Sequence, residues 1–218
     1  FQTARPDVVV LIDYPGFNWW VAARARRHRI PVIYYSPPQI WSWAPWRVAK
    51  MRRDVDLVLS GFEFETEWFR QRGCRAQFIG HPYFDEVRQR TLDDAFVAQQ
   101  RLRGALVTLL PGSRSQEVKQ NLPAFIETAA HISREQPSTV FAIAAFKESH
   151  AAWARQWLDQ RSLPIEVHVG RTPELIEAAT CCLACSGSVS LELLYHLKPT
   201  VIHYRVQRFW YSLQAYLR

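Results

Sequence analysis

The sequence predicts an α/β protein with parallel sheets, divided in two near residues 90–104. Three observations carry this reading. Short apolar runs alternate along the chain with longer helix-compatible stretches, the rhythm of βα units. Two of those runs, 105–110 and 181–185, end in Gly- and Ser-containing turns that open a helix pattern. Between 83 and 103 the strong apolar runs stop and charge takes over, which marks a boundary. The chain has 218 residues, 48% of them apolar, so a sizeable core can form and global disorder is disfavoured.

In chain order, Val8-Val9-Val10-Leu11-Ile12 reads as a strand buried on both faces. It ends in Asp13-Tyr14-Pro15-Gly16-Phe17-Asn18, polar groups at the strand end where open α/β sheets bind ligands. A helix is expected at 19–28 and a strand at 30–35. The next stretch carries Pro37, Pro38 and Pro45 with Trp41, Trp43 and Trp46, so it reads as a shaped loop, neither ordinary helix nor central strand. Its aromatics suit a packed cap or a wall for sugar or acyl chains. Residues 46–53 form a basic helical stretch with a solvated face. A strand at 55–59, a helix at 63–72 and a strand at 76–79 follow, ending at Gly80-His81-Pro82. His81 suits either a structural hydrogen bond or acid–base work. Asp93-Asp94 open a helix that ends before Gly104. Beyond it, strands are expected at 105–110, 139–145, 165–169, 181–185 and 200–204. Helices are expected at 118–136, 150–161, 173–179 and 190–197. In 205–218, Phe209, Leu213, Tyr216 and Leu217 share a helical face near Arg205, Arg208 and Arg218. That pattern suits packing on a partner domain or lying on an anionic bilayer.

Chemistry concentrates in two loops. Leu109-Leu110-Pro111-Gly112-Ser113-Arg114-Ser115-Gln116-Glu117 is a strand–turn–helix junction. The N–H groups of Gly112, Ser113 and Arg114 are expected to be free for an anion, with the helix N-terminus behind them and the Arg114 fork beside them. Ser186-Gly187-Ser188-Val189-Ser190-Leu191-Glu192 offers more amides, hydroxyls and a carboxylate. A nucleotide diphosphate sugar needs such parts: amides and Arg for pyrophosphate, a carboxylate for ribose hydroxyls. Taken alone, Glu192 also suits a helix N-terminal carboxylate. Cys182-Leu183-Ala184-Cys185 has the spacing of a metal or redox pair, but it lies in an apolar run without a second pair, so buried small side chains are expected. The formal net charge of +7 suits anionic partners without choosing among them. The basic residues are scattered and no helix-turn-helix, zinc or RNA-binding signature is present, so nucleic acid is not an expected partner. No apolar run reaches the ~18 residues of a spanning helix.

Taken in order, several stretches resemble the lipid-A-disaccharide synthase family of glycosyltransferases. They are Ile12 to Asn18, Tyr35 to Trp43, Phe62-Glu63-Phe64-Glu65, Phe78-Ile79-Gly80-His81-Pro82, Leu109 to Arg114, Ser186 to Glu192, and Tyr204-Arg205. The resemblance implies two Rossmann-like parallel-sheet domains of the glycosyltransferase B type, both incomplete. Residues 1–92 would form the acceptor-side domain, 93–104 a linker region, and 105–218 the nucleotide-sugar domain. It implies transfer of 2,3-diacylglucosamine from its UDP carrier to 2,3-diacylglucosamine 1-phosphate. The product is a β-1,6 disaccharide precursor of lipid A, formed with inversion, without a metal or other cofactor, and UDP leaves. Asp13 would be the general base, since a carboxylate beside a sugar hydroxyl can take its proton. On the residues alone, Asp13 is equally a helix cap or a turn residue. By the same analogy Gly112, Ser113, Arg114, Ser186, Gly187 and Ser188 would hold the pyrophosphate, and Glu192 the ribose. Asn18, Gln39, Trp41, Trp43 and His81 would line the acceptor or sugar pocket. Gly16 stands where the family often has a second Asp. Both ends read as cut, so the fragment is expected to be inactive alone. The full-length protein is expected to be a cytoplasmic, peripheral enzyme on the inner face of the inner membrane, with an anionic membrane surface and a second copy as partners. Two other readings compete: a UDP-N-acetylglucosamine 2-epimerase-like enzyme, and a non-catalytic basic protein that binds membrane or nucleic acid.

Overall fold

The computed structural model describes residues 1, 4–159, 161 and 163–203. The chain divides into two compact units, Phe1–Arg88 and Gln89–Arg218. The amphipathic stretch 205–218 and the Tyr204-Arg205 motif lie outside the described residues.

The first unit holds a four-stranded parallel sheet in the order β1-β2-β3-β4, with β1 (Val9–Ile12), β2 (Val32–Tyr35), β3 (Leu57–Ser60) and β4 (Ala76–Phe78). Helix α1 (Pro15–Arg27) places Trp19, Ala22 and Ala25 on one face and buries them against Leu11, Val32, Tyr34 and Val58. It begins earlier than the sequence suggests, because Pro15 occupies the first turn, where a missing N–H costs nothing. β1 is not buried on both faces. Among the described residues it pairs with β2 alone, and Val10 and Ile12 are 53% and 61% exposed. A β-branched run reports strand propensity, not how many layers cover the strand.

The Trp-rich segment is more ordered than a loop. It forms a one-turn helix, α2 (Ile40–Trp43), and a 3-10 turn (Pro45–Arg47), then runs into α3 (Val48–Asp54). Fully buried Ile40 and Ala44 pin it to the core, and Pro45 sits where a helical turn starts. Helix α4 (Glu63–Gln71) follows β3, and α5 (Pro82–Gln89) follows β4 with Pro82 as its first residue.

The second unit holds a five-stranded parallel sheet in the order β7-β6-β5-β8-β9. Its strands are β5 (Ala105–Leu110), β6 (Thr139–Ala145), β7 (Ile165–Val169), β8 (Cys181–Cys185) and β9 (Thr200–His203). Its helices are α6 (Asp94–Leu102), α7 (Ser115–Glu135), α8 (Glu148–Asp159), α9 (Thr172–Ala178) and α10 (Val189–Tyr195). Where the sequence suggests a linker, most of the segment is α6. Asp93 caps it by accepting from the Phe96 N–H, and it packs against α9. β5 lies at the centre of the sheet and is buried from Leu106 onward. One face of the sheet packs on α7 and α8 through Val118, Leu122, Phe125 and Ala154. The other packs on α6 and α9 through Val97, Leu175 and Ile176. The chain winds β5 to β6 to β7 in one direction, then returns to β8 and β9 on the other side of β5. The strand order therefore reverses between β5 and β8, the crevice where open α/β sheets hold ligands.

Candidate functional site

Both Gly-containing loops of the second unit lie at that reversal. Leu110 pairs with Ala184 at the carboxyl ends of β5 and β8, so the turns that follow start side by side. Gly112 is required here. Its φ is +127°, and a Cβ on it would lie 2.9 Å from Glu117 and 3.2 Å from the Cys185 sulfur. Asn121 fixes the turn from α7, donating to the Pro111 carbonyl at 3.0 Å.

The loop differs from the expected open set of amides in one respect. The Arg114 N–H donates to Glu117 Oε2 at 3.2 Å, and the Arg114 guanidinium reaches Glu117 Oε1 at 2.7 Å. A carboxylate on the same helix already occupies both donors, and an incoming pyrophosphate would compete with it. The Arg114 side chain is 82% exposed, so exchange of one anion for another needs no core rearrangement. Ser113 is also exposed. In the second loop Ser186, Gly187 and Ser188 are exposed, and the space beside the Gly187 α-carbon is open. The Ser186 N–H donates to the His203 carbonyl, which ties this loop to β9.

Glu192, in the first turn of α10, is a buried carboxylate. Its side chain is 4% exposed and receives Arg90 Nη1 at 2.7 Å. Arg90 escapes the sequence reading because it is 102 residues from its partner and sits in a charge-rich stretch with no motif. The cysteines are buried or half-buried thiols rather than an exposed pair. Burial pushes the Cys182 thiol up to about 12. Among the described residues no group of three His, Cys, Asp or Glu side chains is placed to hold a metal ion.

In the first unit the candidate residues follow the carboxyl ends of the strands. Asp13 comes after β1 with φ at 49°, a left-handed conformation that Asp tolerates better than most residues. It does not cap α1, whose N-cap is Tyr14 without a side-chain cap. Its exposed carboxylate is presented by a braced backbone. Buried Tyr34 donates its hydroxyl to the Asp13 carbonyl at 2.9 Å, and Asn18 donates to the Ile12 carbonyl at 3.0 Å. Asn18 thus supports the turn. Burial raises the Tyr34 pKa, which keeps that donor protonated. Ser36, after β2, repeats the left-handed conformation with φ at 46°.

Beyond Ser36, Gln39 and Trp43 are exposed, and Trp43 carries the Arg47 guanidinium over its ring at 4.7 Å. Trp41 turns inward. Its indole N–H donates to Glu65 Oε1 at 3.0 Å, and its ring meets Phe64 edge-on at 5.1 Å. Phe62, Phe64, His81 and Phe84 continue this aromatic cluster. His81 Nδ1 accepts the Tyr83 N–H at 3.2 Å, which leaves Nε2 to carry the proton of the neutral ring. Burial lowers the His81 pKa. Glu65, which the sequence reading quotes only within the Phe62–Glu65 stretch, is buried under this cluster. Burial drives its carboxyl to about 7, against the opposing hydrogen bonds from Trp41 and Gly61. The signal was its spacing: Glu65 lies four residues before buried Phe69, on the inner face of α4.

A sequence model described as lipid-A-disaccharide synthetase matches residues 1–217. The chain belongs to that family. A lipid-A-disaccharide synthase from Azotobacter vinelandii is 33% identical over 98% of this chain and 58% of its own length. The chain thus spans little more than half the length of such curated relatives. Among solved structures, the S. aureus MnaA–UDP co-structure is similar with a TM-score of 0.61 at 13% identity, covering 98% of this chain and 62% of that one. The UDP-GlcNAc 2-epimerase from Methanocaldococcus jannaschii is similar with a TM-score of 0.57, also at 13% identity, covering 98% and 65%. At that identity the likeness is one of fold. Each unit is a Rossmann-like parallel sheet of the glycosyltransferase B type, and likeness to epimerases does not favour an epimerase reading of this chain.

Proposed function

We propose that the full-length protein is a lipid-A-disaccharide synthase. It transfers 2,3-diacylglucosamine from UDP to 2,3-diacylglucosamine 1-phosphate and inverts the anomeric centre. Family membership and one structural observation support this reading: the two Gly-containing loops abut at the strand-order reversal between β5 and β8. In this proposal Gly112, Ser113, Arg114, Ser186, Gly187 and Ser188 hold the pyrophosphate, aided by the α7 N-terminus, and Glu192 with Arg90 forms the ribose end. Asp13 takes the proton of the acceptor's 6-hydroxyl as that oxygen attacks the anomeric carbon. The bond to UDP breaks, and Arg114 and the loop amides stabilise the charge developing on the pyrophosphate. Asn18, Gln39, Trp41, Trp43 and His81 serve the sugar or acceptor pocket, Asn18 by holding the Asp13 turn and Trp41 by holding the aromatic cluster.

No helix among the described residues is long and apolar enough to cross a membrane. The net charge of +7 and exposed Phe17, Trp20, Trp43 and Trp46 support peripheral contact with an anionic membrane surface, on the cytoplasmic side where UDP-sugars are made. A homodimer of the full-length protein belongs to the same proposal. The test is calorimetric titration of the full-length protein with UDP, beside Arg114→Ala, Glu192→Ala and Asp13→Asn. The first two should weaken UDP at least tenfold, or about 1.4 kcal/mol. Asp13→Asn should bind UDP normally and lose turnover with acylated substrates. Full turnover by Asp13→Asn would remove it as the base.

A further inference from the structure

A histidine that the transfer reaction does not use is buried against the first residue of α7. His150, the third residue of α8, is 1% exposed, and its Nε2 lies 3.2 Å from Ser115 Oγ. Trp153 stacks on the ring at 5.6 Å, and Lys119 from α7 lies over Trp153 at 4.5 Å, so α7 and α8 clamp the imidazole between them. Its Nδ1 is buried with no hydrogen-bond partner among the described residues. Ser115 directly follows Arg114 and opens the helix, where backbone N–H groups have no intrahelical acceptor.

We infer that His150 is a positioning residue that orients the Ser115 hydroxyl as an additional donor to the phosphates of the bound nucleotide. The inference rests on the proposed placement of that nucleotide at the α7 N-terminus. Burial, helped by the Lys147 charge, lowers the His150 pKa, so the ring is neutral near pH 7 and carries one N–H. A proton on Nδ1 would leave a buried N–H unpaired, which folded proteins avoid more strictly than a bare acceptor. The proton therefore sits on Nε2, and Nε2–H donates to Ser115 Oγ. That bond uses a lone pair of the serine and leaves its O–H to donate elsewhere. At the first turn of α7 the hydroxyl then joins the N–H groups that favour an anion. Neither residue is exchangeable at will: the serine supplies the O–H, and the histidine decides that it donates.

The test is a UDP titration of the full-length protein, with uridine as the phosphate-free control. Ser115→Ala and His150→Leu should each weaken UDP about tenfold, the range for a hydrogen bond to a charged group. The double variant should be no weaker than either single, because one interaction is lost in all three. His150→Gln, whose amide N–H stands in for Nε2–H, should stay within about threefold of the wild type. Uridine affinity should be unchanged throughout, and nitrogen NMR of His150 should report the Nε2–H tautomer. Wild-type UDP affinity in Ser115→Ala, equal loss in His150→Gln and His150→Leu, or an Nδ1–H tautomer overturns the inference. A wild-type protein that does not bind UDP, or binds it as well after Arg114→Ala, overturns the nucleotide placement instead.

Discussion

Replacing Glu65 by Gln should make the first unit more stable at pH 8 and leave it unchanged near pH 4.5. Glu65 is 3% exposed, with the Trp41 indole N–H on one oxygen at 3.0 Å. Loss of hydration outweighs that bond and raises the carboxyl from 4.5 to about 7. Between those values the folded chain keeps a proton that the unfolded chain has released. Stability therefore falls as pH rises across this window and levels off above about 7. At ~1.4 kcal/mol per pKa unit, the rise from 4.5 to about 7 sets an upper bound of roughly 3–4 kcal/mol. Gln keeps an acceptor for Trp41 and has no charge to bury. His81 and His150, whose pKa values burial lowers, act in the opposite sense: unfolding takes up protons below about pH 6.5, so they add stability as pH rises. Both are present in the wild type and in the variant, so they cancel in the difference. Urea unfolding of both proteins from pH 4.5 to 8.5 measures it. The difference should grow in favour of Glu65→Gln up to about pH 7 and then hold. A difference independent of pH, or one that favours the wild type at pH 8, would refute the assignment of the titration to Glu65.

Other predictions follow from the same geometry. Gly112→Ala forces a side chain onto a backbone at φ +127° and into Glu117, so it should cost on the order of 2–4 kcal/mol in urea unfolding and abolish UDP binding. Tyr34→Phe removes the hydroxyl that holds the Asp13 carbonyl, which should cost about 1 kcal/mol of stability. If Asp13 is the base as proposed, Tyr34→Phe in the full-length protein should lower kcat more than it raises KM, because it disturbs the Asp13 turn and not the Gly-containing loops. Cys182, buried and pushed up to about 12, should resist thiol reagents at pH 8 in the native protein and react only after unfolding; rapid native labelling would contradict its packing.

Much of the fold was legible because βα units have local signatures. The runs at 105–110, 139–145, 165–169 and 181–185 are strands at those boundaries, and the Gly112 turn opens a helix as its Pro-Gly-Ser pattern requires. What misled was context. Prolines hid two helical starts, at Pro45 and Pro82, because the same residue breaks a helix interior and suits a first turn.

The sequence by itself determined which residue types stand at the strand ends: Asp13, the Trp-rich segment, His81, and the two Gly-containing loops. It also carried enough ordered motifs to identify the family. Only the tertiary structure decided which of these meet. Strand order brings the turns after β5 and β8 together although some 70 residues separate them, and it sets Arg90 on Glu192, Trp41 on Glu65 and His150 on Ser115. The physical reason is that propensity and periodicity act over a few residues. Burial of a carboxylate or an imidazole is a property of everything packed around it, and no local pattern contains that.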